Sequence, residues 1–210
     1  IGVYLWFVIV ICASSVFASE HESGAALLLL TTKYGKDRLI RSKIGVMTLF
    51  TLGYLSTGIL LAVGVTGLLL GFPGADLPVQ LYNSVIPYKL TIGQMCACTF
   101  GIILLLGIAI GFLVLCCSAR LRSSLAALVI GITVIIAPAF FPMSKESGLW
   151  NHINYLFPVR VADFKEMLES FVSYTVGDFV IPYVWMAVIV YVAAAIVALW
   201  AVRGGFVREK

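Results

Sequence analysis

Charged residues are scarce in this sequence. They make up 11% of the 210 residues, whereas 61% are hydrophobic and the mean hydropathy is +1.07. Because soluble globular domains carry about 25% charged residues, this composition excludes an ordinary water-soluble fold. The net charge of +4 does not indicate a nucleic-acid partner, since the basic residues stand at the ends of apolar runs and form no basic face.

Metal ligands and catalytic motifs are also missing. The sequence has two histidines, and its five cysteines include no CxxC pair, whereas zinc sites need such ligands at short paired spacings. His21-Glu22 does not continue as HExxH, because position 25 is Ala. We therefore predict no metal site and no catalytic residue, and interpret the cysteines as small buried hydrophobic residues: Cys12, Cys96, Cys98, Cys116 and Cys117.

Long apolar windows dominate the rest of the chain. A transmembrane helix needs about 20 apolar residues, and windows of this kind occur at residues 1–18, 44–71, 93–117, 125–142 and 181–202. None contains Asp, Glu, Lys, Arg or His, the residues that mark ion and proton pathways in membranes, which disfavours ion conduction and proton coupling. We predict an all-α, polytopic helical membrane protein with one transmembrane domain over residues 1–210.

The basic residues predict the orientation of the helices. Cytoplasmic loops carry an excess of Lys and Arg, and the connections at 19–43, 118–124 and 203–210 hold more of them than those at 72–92 and 143–180. The first set, which we place in the cytoplasm with the C-terminus, holds Lys33, Lys36, Arg38, Arg41, Lys43, Arg120, Arg122, Arg203, Arg208 and Lys210. The second set, predicted outside, holds Lys89, Lys145, Arg160 and Lys165.

Two glycine pairs are spaced for close helix packing. Gly67 with Gly71, and Gly107 with Gly111, form GxxxG patterns, which let membrane helices approach closely. The pattern fits a dimer contact or packing within the chain, and the sequence leaves both open.

The connection at 19–43 carries its own helical signals. Ser19 precedes Glu22 by three residues, as in a capping box, and Gly35 stands where a C-cap glycine would. We therefore expect a short helix that begins at Ser19 and ends before Gly35. Its apolar stretch, residues 25–30, is too short to span a bilayer, so the helix lies on the membrane surface or inserts into a partner.

This connection resembles the signature loop of the type 2 ABC transporter (ABC-2) permeases. In that family a span is followed by a Glu-rich turn, Gly-Thr, a Leu-rich helix, a Thr-Pro-x-x-Arg turn and a Lys that opens the next span. Ala25, Lys33 and Lys36 replace the usual Thr, Pro and Arg. The matching residues are Glu20, Glu22, Gly24, Leu28, Leu29, Thr32 and Lys43, and the order of the later spans and loops is similar too.

The resemblance implies a fold and a set of coupling contacts. Residues 19–43 would form an amphipathic cytoplasmic coupling helix seated in a groove of an ATP-binding-cassette ATPase subunit. The family's first span and elbow helix would precede Ile1, so that five of six spans are present here. The residues implied in coupling are Glu20, Glu22, Gly24, Leu28, Thr32, Lys36 and Lys43.

The resemblance also implies the permease subunit of an ATP-driven exporter in a bacterial plasma membrane. Two permease subunits, identical or different, would pair with two ATPases and move an amphiphilic cargo such as a peptide, antibiotic or lipid. This sequence has no GxxxxGK[ST] motif. ATP and Mg are therefore expected on the partner subunit, and this chain is expected to hold no cofactor and to be no enzyme.

The long connection at 143–180 predicts a second amphipathic helix. After Pro158, one helical face carries Val161, Phe164, Leu168 and Phe171, and Trp150 just ahead suits a membrane interface. In the family that this chain resembles, helices at this place close the outer end of the transport path, which implies an exit gate. An interfacial anchor is the alternative.

A non-transporting membrane protein is the alternative function. In that case residues 19–43 recruit a cytoplasmic partner other than an ATPase, and the chain serves as a sensor or scaffold. The absence of charge from the spans fits both functions.

Overall fold

The computed structural model describes residues 2–24, 35–81, 83–84, 86, 88–121, 123–140, 148–169, 172–176 and 179–207. This part of the chain is mostly helical. The long helices are α1 (Gly2–Glu22), α2 (Gly35–Leu70), α3 (Ile92–Leu121), α4 (Ser124–Phe140) and α8 (Tyr183–Val207). Before α8 come three short helices, α5 (Leu149–Tyr155), α6 (Pro158–Val161) and α7 (Phe164–Glu169), and a hairpin of β1 (Ser173–Val176) and β2 (Phe179–Pro182).

Four of the long helices are long and apolar enough to cross a membrane, which confirms a helical membrane-protein architecture. They are Gly2–Glu22, Arg38–Leu70, Ile92–Leu121 and Tyr183–Val202. The fifth predicted window, 125–142, forms α4, whose 17 described residues extend about 25 Å. Residues 141–142 of that window fall among the positions that the structure does not describe.

Helix α3 lies at the centre of the bundle. It packs against α8 and α1 over the longest stretches, and also contacts α2 and α4. The indole of Trp6, fully buried in α1, donates a hydrogen bond to the carbonyl of Ile103 at 3.2 Å. Leu106 and Leu115 of α3 are also fully buried. An apolar helix that is buried on most sides is the expected core of such a bundle.

Glycines allow the close approach at this centre. A Cβ at Gly107 would lie 2.4 Å from Leu55 and 3.3 Å from the Trp6 ring, and one at Gly111 would lie 3.3 Å from Ile9. The Gly107 and Gly111 pattern therefore packs within the chain, which is one of the two alternatives that the sequence left open.

The other glycine pair serves a different purpose. Gly71 has a φ of +68° and directly follows the last residue of α2, where glycine adopts the left-handed conformation without strain. Its amide still bonds to the Gly67 carbonyl at 3.0 Å. A Cβ at Gly67 would lie 2.5 Å from the Phe72 ring, so this pair ends α2 and makes room for the connection that follows it.

The connection before α8 differs from its prediction. The prediction of a single amphipathic helix after Pro158 is wrong. Helix α6 ends at Val161, the chain leaves the helical conformation at Ala162 and Asp163, and α7 begins at Phe164. An unpredicted antiparallel hairpin follows, with Ser173 opposite Pro182 and Val176 opposite Phe179. The fold is therefore mostly helical and not strictly all-α.

Candidate functional site

The end of α1 lies where α2 begins, α3 ends and α4 begins. We call this the basic end, because Arg38, Arg41, Lys43 and Arg120 lie there. The amide of Ser23 donates to the Ser19 carbonyl at 3.0 Å, and Gly24 follows with a φ of +71°. Residues 19–22 are thus the last turn of α1, so the predicted capping box is wrong. Gly35 likewise begins α2 and does not end a helix.

Lys43 ties the start of α2 to the end of α1. Its Nζ lies 2.6 Å from Glu20 Oε2, donates to the Val16 carbonyl at 2.6 Å, and stands 4.6 Å from the centre of the Phe17 ring. The side chains of Lys43 and Glu20 are 15% and 21% exposed. Both charges are largely shielded from water. Loss of either partner should therefore cost more free energy of unfolding than loss of one partner of a surface ion pair.

Glu22 ties the same turn to the start of α4. One carboxylate oxygen accepts the backbone N–H of Ser124 at 2.8 Å, and the other accepts the Ser124 hydroxyl at 2.6 Å. The first amides of a helix lack partners within it, and the helix dipole favours an anion there. The carboxylate that the sequence assigned to a capping box therefore caps a different helix, 102 residues further along.

Ser118 ties α3 to the same stretch of α1. Its hydroxyl donates to the Ser14 carbonyl at 2.7 Å and accepts the amides of Ala18 at 3.0 Å and Phe17 at 3.2 Å. In a regular α-helix the Ser14 carbonyl and the Ala18 amide bond to each other. The Ser118 hydroxyl therefore bonds to both groups of one backbone pair of α1. The end of α1 is thus held by side chains from α2, α3 and α4.

The predicted coupling residues are only partly brought together. Glu20 and Glu22 lie in the last turn of α1, Gly24 follows two residues after its end, and Lys43 of α2 pairs with Glu20. Lys36 lies in the first turn of α2, and its side chain is not described. Leu28 and Thr32 lie outside the described residues, as does the part of the expected helix over residues 25–34.

Two residues at this site were missed from the sequence. Ser118 and Ser124 are ordinary hydroxyl residues at the ends of apolar runs. One signal was available, since the pair Ser123-Ser124 precedes an apolar run, as an N-cap would. The Ser123 hydroxyl does accept the Ala126 amide, at 3.4 Å. No sequence pattern around Ser118 indicates that its hydroxyl bonds to the backbone of α1.

The opposite end of the bundle is closed by a tyrosine cluster. Three hydroxyls donate to carbonyls at the end of α5: Tyr174 to His152 at 2.8 Å, Tyr191 to Leu156 at 2.7 Å, and Tyr183 to Tyr155. The last carbonyls of a helix need such outside partners. Burial, reinforced by the neighbouring Tyr155, raises the pKa of Tyr174 from about 10 to about 12.

The predicted gate residues are spread over this end. Val161 and Leu168 are buried at 1% and 3% exposure, on two separate helices, while Trp150 is 47% exposed. Phe164 lies in α7 with an undescribed side chain, and Phe171 is outside the described residues.

Another contact joins two connections across this end. The amide nitrogen of Asn83, between α2 and α3, donates to Glu169 Oε1 of α7 at 2.7 Å. Lys165 stands 3.8 Å from the same carboxylate.

An apolar cavity of about 700 Å³ lies beside this end, between the last turns of α2 and the first turns of α3. Most of its lining is hydrophobic, with the hydroxyl of Thr66 as a polar group. A cavity of this size and character fits the hydrocarbon part of an amphiphile. Its lining includes Val63, Thr66, Phe72, Ile92, Cys96 and Phe100.

The fold and these contacts define a class, the helical membrane proteins with several spans. Within the described residues, no group of three or more His, Cys, Asp or Glu side chains is placed to hold a metal ion. Comparison with protein-family models, with curated proteins and with solved structures finds no match for the chain. The particular function must therefore be argued from the site.

Proposed function

We propose that this chain is the permease subunit of an ATP-driven ABC exporter, with ATP and Mg bound by a separate ATPase subunit. The observation that carries the proposal is the attachment of the end of α1 to three other helices. Glu20 binds Lys43 of α2, Glu22 binds Ser124 of α4, and Ser118 of α3 binds the backbone of α1.

This attachment gives a mechanical role to residues 25–34, which connect α1 and α2 in the sequence. A cytoplasmic ATPase that moved residues 25–34 would pull on the last turn of α1, and the contacts of Glu20 and Glu22 would pass that movement to α2 and α4. Packed helices switch between discrete arrangements as rigid bodies. This connection then acts as a lever on the bundle, as the resemblance of residues 19–43 to the ABC-2 signature loop implies.

The opposite end supplies the exit in this proposal. The short helices α5, α6 and α7 and the hairpin form a layer fixed by the tyrosine cluster and by the Asn83–Glu169 bond. A second permease subunit, identical or different, completes the path. The apolar cavity of about 700 Å³ favours an amphiphilic cargo such as a peptide, antibiotic or lipid.

Purification from the native membrane in a gentle detergent tests the proposal. Mass spectrometry should identify a stoichiometric P-loop ATPase, and the complex should hydrolyse ATP in a vanadate-sensitive manner. Glu22→Ala should lower cargo-stimulated hydrolysis at least about tenfold, as expected when about 1.4 kcal/mol of coupling free energy is lost. The matched control is Ser23→Ala, because Ser23 is exposed and its hydroxyl bonds only to the Glu20 carbonyl, at 3.3 Å.

Two results would contradict the proposal. An intact, folded chain that purifies without an ATPase would favour a sensor or scaffold whose loop recruits another protein. An ATPase complex in which Glu22→Ala and Ser23→Ala behave alike would show that the end of α1 does not couple the subunits.

A further inference from the structure

Two tryptophans mark the ends of the last span. The apolar part of α8 runs from Tyr183 to Val202, and its 20 residues extend about 30 Å at 1.5 Å per residue. The hydrocarbon core of a typical bilayer has the same thickness, about 30 Å. Trp185 stands two residues inside one end of this span, and Trp200 stands two residues inside the other. Each indole therefore lies within one helical turn of a boundary between hydrocarbon and headgroups.

Both indoles face away from the bundle. Trp185 is 64% exposed and Trp200 is 78% exposed. The residues between them follow at intervals of three and four, which is the spacing of one helical face. These residues are β-branched and exposed as well: Ile189, Val192 and Ile196. One face of α8 is thus apolar over its whole length and carries an indole near each end.

The opposite face of α8 packs against the bundle. Its buried residues include the small Ala187 and Ala198, and α3 is its most extensive neighbour. Small residues let membrane helices approach each other closely. Among the exposed residues of the span, only Ala193 is small. The two faces therefore differ in side-chain size, and the exposed face lacks the character of a close helix–helix contact.

The placement of the indoles also separates lipid from a protein partner. Tryptophan is enriched at both membrane interfaces, because its ring is apolar while its N–H needs a polar partner. In contacts between proteins, tryptophan anchors instead gather near the centre of the buried patch. Trp185 and Trp200 stand about 22 Å apart along the helix axis, with only aliphatic side chains of this face between them.

We propose that the exposed face of α8 lies against the bilayer, with Trp185 in one headgroup layer and Trp200 in the other. Lipid then covers this face in the assembled protein, and a second subunit packs against another part of the bundle. The proposal does not depend on the exporter function, since it concerns only the surface that α8 presents.

Fluorescence quenching in vesicles tests the depth of the two indoles. The full chain is reconstituted into phosphatidylcholine and phosphatidylglycerol whose acyl chains carry bromine, placed either near the headgroup or near the chain end. Trp150→Phe with Trp200→Phe leaves Trp185 beside the buried Trp6, and Trp150→Phe with Trp185→Phe leaves Trp200. In both variants the shallow bromine should quench at least about twofold more than the deep one, since these indoles lie at the headgroup level.

The chain supplies two controls for this experiment. Trp6 is fully buried in α1, so replacement of the other three tryptophans by Phe should leave an emission that neither lipid quenches strongly. Val192→Trp in that background puts an indole at the middle of the same exposed face. There the deep bromine should quench at least about twofold more than the shallow one, since this position lies at mid-depth of the hydrocarbon.

Cysteine cross-linking distinguishes lipid from a protein partner. Ile189→Cys and Ile196→Cys place thiols at the centre of the face, and oxidation in the native membrane should give no cross-linked product beyond those of the unaltered chain. A new disulfide to a second copy or to another protein would overturn the proposal. Quenching of Trp185 and Trp200 no stronger than that of Trp6, or stronger by the deep bromine than by the shallow one, would also overturn it.

Discussion

The hydroxyl of Ser118 donates a hydrogen bond to the carbonyl of Ser14 at 2.7 Å, in the middle of another helix. The same oxygen accepts the amide of Ala18 at 3.0 Å, so a side chain of α3 bonds to both groups of one backbone pair of α1. Two hydroxyls of α1 loosen this stretch further, since Ser14 and Ser15 donate to the carbonyls of Ile11 and Cys12. The end of α1 is therefore bonded to α3 through its own backbone groups.

Removal of the Ser118 hydroxyl should destabilise the protein. In Ser118→Ala the buried amides of Phe17 and Ala18 lose an acceptor, which should lower the free energy of unfolding by about 1 to 2 kcal/mol. Ser15→Ala is the control, because the Ser15 hydroxyl is exposed and contacts only its own helix, and it should cost less than about 0.5 kcal/mol. Chemical unfolding in micelles measures both, and equal losses would show that the inserted hydroxyl contributes nothing particular.

The Glu20–Lys43 pair should show strong coupling. Lys43→Met leaves a largely buried carboxylate unpaired and should cost about 1 to 3 kcal/mol, as should Glu20→Gln. The double variant should cost less than the sum, with a coupling free energy of at least about 0.5 kcal/mol. Lys165→Met provides the comparison, since the Lys165 side chain is 47% exposed and 3.8 Å from Glu169, and such a pair is worth less than about 0.5 kcal/mol. Strict additivity of the first two variants would contradict this prediction.

Gly131 should not accept a methyl group. A Cβ there would lie 2.5 Å from Val10 and 2.8 Å from Val114, and these branched side chains of α1 and α3 have little room to move. Gly131→Ala should therefore cost about 1 to 3 kcal/mol. Gly101→Ala, where no atom lies within 4 Å of the added Cβ, should cost nothing or stabilise α3 slightly. If thermal unfolding gave the same midpoint for both variants, the close approach of the three helices would be wrong.

Tyr174 should make stability depend on pH in alkaline solution. Its pKa is raised to about 12 in the folded protein from about 10, so between these values the folded state holds a proton that the unfolded state has lost. The free energy of unfolding should therefore fall as the pH rises from 10 to 12. Tyr174→Phe should lower stability at neutral pH, through the lost bond to His152, and should also flatten this alkaline decrease. An unchanged slope in the variant would contradict the assignment.

The long helices could be predicted because their signal is local and strong. The apolar windows, which carry no charge, correspond to α1, α2, α3, α4 and α8. Most ends of these helices lie within five residues of the window's end, because the position of an apolar helix depends on composition more than on contacts. The start of α2 is the exception, since its charged first turns, from Gly35, precede the window at 44–71. A helix in water at the membrane edge carries charge and so lacks the apolar signal.

The contacts of the site could not be predicted in the same way. Ser19 and Glu22 form a four-residue pattern that fits the first turn of a helix, yet the partner of Glu22 is Ser124 in another helix. A carboxylate binds whichever orphan amide the fold brings near it, and a short pattern does not contain that information.

The hairpin before α8 had a signal that was missed. Residues 173–176 and 179–182 are rich in β-branched and aromatic side chains, and Gly177-Asp178 separates them by two residues, as in a tight hairpin. The amphipathic pattern after Pro158 instead led to the prediction of one helix that extends to Phe171. Val161 and Leu168 of that pattern are still buried, on two short helices instead of one.

The central position of α3 bears on how the chain is made. Its most extensive partner is α8, which is also the last described helix to be synthesised, while α1 and α2 are made before it. Membrane proteins emerge in sequence, and early elements associate first. During synthesis one side of α3 must therefore wait against lipid or an insertion factor until α8 arrives. The packing around α3 is therefore completed only after α8 has been made.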